Sequence, residues 1–265
     1  HPWPDAKTPF TYILQEKNGS IPDSLQQYTR ISVPIQSIVV TSTTHIPALE
    51  LLGVENTLVG FPSTDFISSA KTRKRIDAGL VKEVGTNETL NTEILIDMAP
   101  EVIVSFGLNN SNPTLDNLQK SGLKVLLNGD WNEQSPLGKA EWIKFFGALY
   151  GLDAKAKAIF SSIEKEYQTT LALAKKAKQK PTVLSGAMYQ DQWFVPQGES
   201  WMALFLKEAQ SNYLWANTTG TGSLTLPFET ILEKAQKAEF WIAPGDFTSL
   251  KEMNNSNPHY AKFDA

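Results

Sequence analysis

The strongest constraint in this sequence is a rhythm. From Ser37 onward, short and almost wholly apolar runs alternate with stretches of helical spacing. SIVVT reads as a buried strand, IPALELLG as a helix closed by Gly53, TLVGF as a second strand and VKEVG as a third. TEILIDMA is then a helix, EVIVSF a fourth strand, NPTLDNLQKSG a helix ended by Gly122, and LKVLLN a fifth strand. A strand that is apolar throughout has to be covered on both faces, so this alternation predicts a parallel sheet with helices on either side. The first thirty residues, rich in Pro, Thr and Gln, read as an extended arm, in which TPFTYILQ can pair as an edge strand.

The rhythm then stops. SPLGKAEWIKFFGALYG predicts one helix to about Gly151, and LDAKAKAIFSSIEKEYQTTLALAKKAKQK a second, stopped by Pro181. In the second, Ile159, Ile163, Tyr167 and Leu171 fall four apart among charged residues, giving one apolar face on an otherwise exposed rod. From Asp153 to Lys178 it would span roughly 40 Å, more than a crossover within one sheet needs. It reads as a strut between two lobes.

After Pro181 the alternation resumes with TVLSGA, QWFVP, a helix SWMALFLKEA, a polar loop NTTGTGS, a helix PFETILEKAQ and a strand FWIAP. The expected organisation is therefore an arm over residues 1–36, an N-terminal α/β lobe over 37–135, linking helices over 136–180, and a C-terminal α/β lobe over 181–265 that ends with fewer elements than the first. The fold class is α/β: two Rossmann-like lobes with parallel sheets joined by a long helical strut.

Composition removes several functions. A net charge of −4, from 24 basic and 28 acidic residues, offers no general attraction for nucleic acid. The absence of cysteine excludes thiol catalysis, disulfides and Cys-based zinc sites, and leaves the compartment open. The sequence begins HPWPDAKTPF, without an initiator Met or a signal segment, and reads as a mature chain whose leader has been removed.

Catalytic signatures are scarce. There is no G-x-S-x-G elbow, TTGTGSLTLP lacks the Gly-Lys-Ser/Thr of a phosphate loop, and His1, His45 and His259 show no metal-ligand spacing. The basic run Lys71, Arg73, Lys74 and Arg75 reads as a solvated face. No cofactor is expected. Candidate ligand residues stand instead at the strand ends: Thr44 and His45 after the first strand, Phe61 and Ser63 after the second, Phe106 after the fourth, Asp130 and Trp131 after the fifth. Ligands of open parallel sheets sit outside the carboxyl ends of the strands. In the second lobe Tyr189, Gln192, Trp193 and Phe247 occupy comparable turns, and as a set they suit a large, flat or aromatic ligand.

Two acids repeat in context. Glu93 opens the helix of TEILIDMAPEVIV and Glu229 that of FETILEKAQKAEFWI, each ahead of a strand. Read alone, each is a first-turn carboxylate placed on the positive end of a helix dipole.

The order of parts resembles the long-helix class of bacterial substrate-binding proteins, which serve ABC importers of ferric siderophores, haem and cobalamin. SIVVTSTTHIPALELLGVENTLVGF is similar to the family's first strand, helix, Leu-Gly stop and second strand. NTEILIDMAPEVIVSFG is similar to its pattern N-x-E-x-I-x-x-L-x-P-D-L-V-I, with Glu101 in place of the Asp. The resemblance covers roughly residues 37–247 and lacks the family's last strand and helix. It implies a non-enzymatic monomer, periplasmic or lipid-anchored through an upstream cysteine, that binds an iron chelate, haem or corrinoid in the interlobe cleft and docks on an ABC permease dimer in the inner membrane. It also implies that Glu93 and Glu229 pair with permease arginines, and that the strut limits lobe movement. The rival is a two-lobed α/β enzyme, such as a transferase, for which Asp130 or Asp246 would supply the acid or base.

Overall fold

A computed structural model of the chain describes residues 3, 6–7, 9–16, 19–107 and 112–263. The chain divides into two compact units, unit 1 from residues 1–132 and 140–162, and unit 2 from residues 133–139 and 163–265. His1 lies outside the described residues.

Unit 1 opens with β1 (Tyr12–Glu16) and β2 (Thr29–Val33), paired in parallel. TPFTYILQ thus pairs as a strand, and its partner TRISV, which the sequence reading left in the arm, joins the fold. In TRISV the buried positions Ile31 and Val33 alternate with exposed ones, and with Ile35 they enter the unit's core. Next come β3 (Ile38–Val40), α1 (Ile46–Leu52), β4 (Leu58–Phe61), α2 (Ala70–Asp77), β5 (Lys82–Glu83), α3 (Thr92–Met98), β6 (Val102–Ser105), α4 (Pro113–Lys120) and β7 (Val125–Leu127). Gly53 ends α1 at φ 70°, the left-handed conformation that leaves a helix at least cost for glycine. The basic run forms α2, capped by Ser69, whose hydroxyl accepts from the Thr72 N–H, and is not merely a connecting segment.

The five strands pair in the order β5-β4-β3-β6-β7, all parallel. The chain lays β3 at the centre, builds outward to β5, then returns to start β6 on the other side of β3. That reversal makes the β3–β6 crevice the topological switch point. Side-chain alternation accounts for the apolar runs: Ile38 and Val40 enter one core with Leu49, Leu52, Ile143 and Phe146, whereas Val39 joins the other with Leu95, Leu115 and Leu118.

The predicted single helix over 135–151 is two, α5 (Pro136–Glu141) and α6 (Ile143–Leu149), with Trp142 between them at ψ −13°, flatter than helical. α7 (Asp153–Ala174) is the strut; its 22 residues span about 33 Å. It stops short of Lys178 because the backbone tightens there, with Lys176 N–H donating to Leu173 O and Ala177 N–H to Ala174 O.

Unit 2 continues through β8 (Thr182–Ser185), β9 (Met188–Tyr189), β10 (Gln192–Pro196), α8 (Trp201–Glu208), β11 (Asn212–Tyr213), β12 (Ser223–Pro227), α9 (Phe228–Ala235), β13 (Phe240–Ile242) and α10 (Leu250–Ser256). Only β11-β8-β13 form a parallel sheet; β12-β10-β9 form an antiparallel one. QWFVP thus belongs to a ribbon, and SLTLP, read as the tail of a polar loop, is its partner strand.

Candidate functional site

At the switch point of unit 1, each apolar strand ends in a small polar residue. Thr41 follows β3 and Ser105 ends β6; the Thr41 hydroxyl donates to Ser105 Oγ at 3.0 Å, and both residues are buried. The Asn128 N–H, just past β7, donates to Ser105 O at 2.7 Å, and Asn128 Oδ1 accepts the Asp130 N–H at 2.8 Å. Ser105, Asn128 and Asp130 are thereby tied into one buried polar chain along the strand ends. Such groups tolerate burial because they satisfy one another.

His45 sits in the turn between β3 and α1. Ser42 organises that turn: its Oγ accepts the Thr44 N–H at 3.3 Å and lies 2.8 Å from Thr44 Oγ1. The imidazole is fully buried, lies 5.5 Å from the Phe146 ring, and finds no hydrogen-bond partner for either ring nitrogen among the described residues. Burial pushes its pKa down to about 4, and the Asp130 carboxylate, pulling upward, does not offset that. At neutral pH His45 is an uncharged donor and acceptor. The Asn128 Nδ2 is likewise buried without a partner among the described residues.

Beyond β4 the chain takes a different device. Ser63 adopts φ 51°, and the Glu83 carboxylate accepts the N–H groups of Ser63 and Thr64 at 2.6 and 2.8 Å, and the Thr64 hydroxyl at 2.8 Å. Arg73, from α2, donates to Thr64 O at 2.6 Å. Burial alone would raise Glu83, but those hydrogen bonds outweigh it and hold the carboxyl below its usual range.

In unit 2 the β9–β10 hairpin turns through Gln190 and Asp191, at φ 47° and 62°, the signs of the tight turn that suits strand twist. Tyr189 and Gln192 are cross-strand partners and exposed, and the half-exposed Phe194 ring lies 6.4 Å from that of Tyr189. Trp193 points the other way. Neighbours in a strand occupy opposite faces, so Gln192 and Trp193 cannot line the same wall. Trp193 is fully buried, donates from Nε1 to Ser185 O at 3.1 Å, and packs with Trp241, Tyr260 and Phe263. Phe247 is half-buried, 6.3 Å from the Tyr260 ring.

Residues 38–265 match the periplasmic binding protein family. The chain belongs to that family.

Among curated proteins it is 26% identical over 270 residues to an uncharacterized lipoprotein of Methanocaldococcus jannaschii, covering 96% of this chain and 64% of that one. The chain thus spans less than two thirds of that relative's length. Among solved structures it matches a periplasmic heme binding protein from Pseudomonas aeruginosa at a TM-score of 0.65 and 19% identity, over 86% of this chain and 79% of that one. It also matches CeuE of Helicobacter pylori in a complex with nickel and histidine, at a TM-score of 0.63 and 18% identity, over 88% and 74% of the two chains. At these identities the shared property is the fold.

In this periplasmic binding protein, the sequence-predicted residues separate into groups. Thr44, His45, Asp130 and Trp131 stand at the ends of β3 and β7, with Thr44 and Trp131 exposed and His45 and Asp130 buried beneath. Phe106 is half-buried after β6, and Ser63 half-buried after β4. Phe61 is a core residue, 2% exposed, and like Trp193 is taken up by packing. Asp246, the other acid considered for catalysis, is exposed in a loop of unit 2. Thr41, Ser105 and Glu83 were not among the predicted site residues; the first two were marked in sequence only as the first polar residues after SIVV and EVIV.

Glu93 and Glu229 are both exposed, in the first turns of α3 and α9. The α3 start is capped by Asn91 Oδ1, which accepts the Ile94 N–H at 3.0 Å, whereas Pro227 supplies no side-chain cap to α9. Two surface grooves, of about 440 Å³ beside Leu14, Val33 and Pro34 and about 410 Å³ beside Tyr167, Leu171 and Phe205, include none of the predicted site residues. Among the described residues no cluster of three or more His, Asp or Glu is placed to hold a metal ion, and no helix is long and apolar enough to cross a membrane.

Proposed function

We propose that the chain is the substrate-binding component of an ABC importer, which captures an iron complex, haem or a corrinoid and hands it to a membrane permease. Membership of the periplasmic binding protein family supports the receptor role. The observation that carries the ligand reading is the strand-end floor of unit 1, where a neutral His45 and the Asn128 amide hold atoms without a hydrogen-bond partner among the described residues, next to buried Asp130. This floor fixes the strand ends on which the exposed Thr44 and Trp131 stand, and those two supply area, which suits a large chelate recognised mainly by area. Thr44, Ser63, Phe106 and Trp131 are the contact candidates of unit 1, and Tyr189 and Gln192, on the free face of the ribbon, those of unit 2; Phe247 packs toward Tyr260 on the Trp193 side. The solved neighbours include a heme binding protein, which is in keeping with this reading.

Glu93 and Glu229 serve as the docking acids in this reading. Exposed charges at a protein interface contribute little to affinity on their own, yet they set orientation and encounter rate. The test is titration of the intrinsic fluorescence of the seven tryptophans with haemin, cyanocobalamin, ferrioxamine B and ferric enterobactin. Saturable quenching by one of them below micromolar concentration is expected; four flat titrations, repeated by calorimetry, would sink the reading.

A further inference from the structure

The N-terminal arm reaches the same strand-end face. Trp3 is 6% exposed, although it stands near the start of the chain. Its indole lies on Gly107, two residues past the end of β6: a β-carbon at position 107 would fall 2.7 and 2.8 Å from two atoms of the six-membered ring, and 3.6 Å from the Leu127 side chain at the end of β7. Contacts that short are excluded for real carbon atoms, so the glycine is what admits the indole there.

Two further contacts fasten the arm. Phe10 meets the Trp3 ring edge-on at 5.6 Å. The Tyr12 hydroxyl accepts the Leu127 N–H at 2.9 Å. β7 is an edge strand, and Asn128 N–H bonds inward to Ser105 O, so by strand alternation the Leu127 N–H points outward; Tyr12 satisfies a donor that the sheet leaves unpaired. The family match begins at residue 38, so Trp3, Phe10 and Tyr12 lie outside its span.

We propose that Trp3 is a specificity-determining residue of the unit 1 binding face. By occupying the shelf at Gly107, between the ends of β6 and β7 and next to Phe106, its indole sets how large a ligand the strand ends accept. The inference rests on the receptor reading and adds to it one wall contributed by the arm.

Trp3→Ala clears the shelf, and Gly107→Ala forces the indole off it while keeping the tryptophan. Both variants, with Trp3→Phe as the conservative control, are to be titrated by calorimetry with haemin, cyanocobalamin, ferrioxamine B and ferric enterobactin, and checked by circular dichroism for an intact fold. Trp3→Ala and Gly107→Ala are each expected to change the affinity for at least one probe, relative to the others, by tenfold or more. Trp3→Phe should stay within threefold of the parent. Binding of a probe by Trp3→Ala that the parent refuses would support the proposal equally. Unchanged relative affinities in both folded variants would overturn the role of Trp3 and leave the receptor reading standing. If one variant fails to fold, the other decides by the same criterion; if both fail, the arm is structural and the proposal falls. If neither parent nor variants bind any probe, the receptor reading falls and this inference with it.

Discussion

Unit 1 and unit 2 both alternate strands with helices, but they bury their sheets differently. In unit 1 the β3 residues alternate between two separate cores, and every residue of β3 and β6 is buried. In unit 2 the parallel sheet has three strands, and an antiparallel ribbon beside it carries alternating buried and exposed residues, as in QWFVP. The contrast sets what each unit can present. A sheet covered on both faces has only its strand ends to offer, and in unit 1 a buried floor of hydroxyls, an amide and an imidazole lies there beneath the exposed Thr44 and Trp131. A ribbon with one free face can offer side chains from mid-strand, and unit 2 offers Tyr189, Gln192 and Phe194.

The comparison can be broken most forcefully at Trp193. If the ribbon's inner face is the core of unit 2, Trp193→Ala should cost about 4 kcal/mol in urea unfolding, since it removes a fully buried indole and leaves the Ser185 carbonyl without its donor. A cost below about 1 kcal/mol would return this residue to the ligand wall.

His45 gives the next largest effect. Its folded pKa lies below its unfolded value, so the unfolded chain binds a proton that the folded chain refuses as pH falls from about 6.5 towards 4. Stability present at neutral pH should be lost across that window, by up to about 3 kcal/mol. His45→Leu should flatten that part of the profile, and an unchanged profile would remove the imidazole from the buried floor.

Glu83→Gln tests the loop after β4. It weakens the acceptor for Ser63, Thr64 and the Thr64 hydroxyl, and should cost about 1 kcal/mol, read by thermal unfolding with amide exchange at Ser63 and Thr64. Because the Glu83 carboxyl is held below its usual range, its contribution is present above that range and is lost as pH falls from that range through the lowered value.

The smallest stability effects belong to Glu93→Ala and Glu229→Ala, each expected within about 0.5 kcal/mol because both acids are exposed. Transport by a reconstituted importer should nonetheless fall in the double variant, with ligand affinity unchanged. A fall in affinity would move the acids from a docking face to the binding site.

Much of this was legible in the residues. The run IVV with its polar stop, the Leu-Gly end of α1 and the one-faced spacing of α7 follow from periodicity and from capping chemistry, which act over a few residues. The pairing of the ribbon was not legible, because it joins Gln192 to Pro227 across 35 positions and strand spacing does not specify a partner. In the arm, the edge strand of TPFTYILQ was legible and is β1, whereas TRISV was not, because β2 carries polar residues at the positions that one exposed face permits.

The sequence by itself determined the alternating α/β architecture, the strut and the strand-end location of the polar residues, since each is written in local spacing and in the cost of burying backbone without partners. Tertiary structure alone decided which of those residues are surface and which are floor. Trp193 and Phe61 became core, His45 lost its water and its charge, and Trp3 crossed more than a hundred positions to rest on Gly107. Burial and close approach depend on what lies opposite a side chain, and nothing within a few residues of Trp3 or His45 specifies that partner.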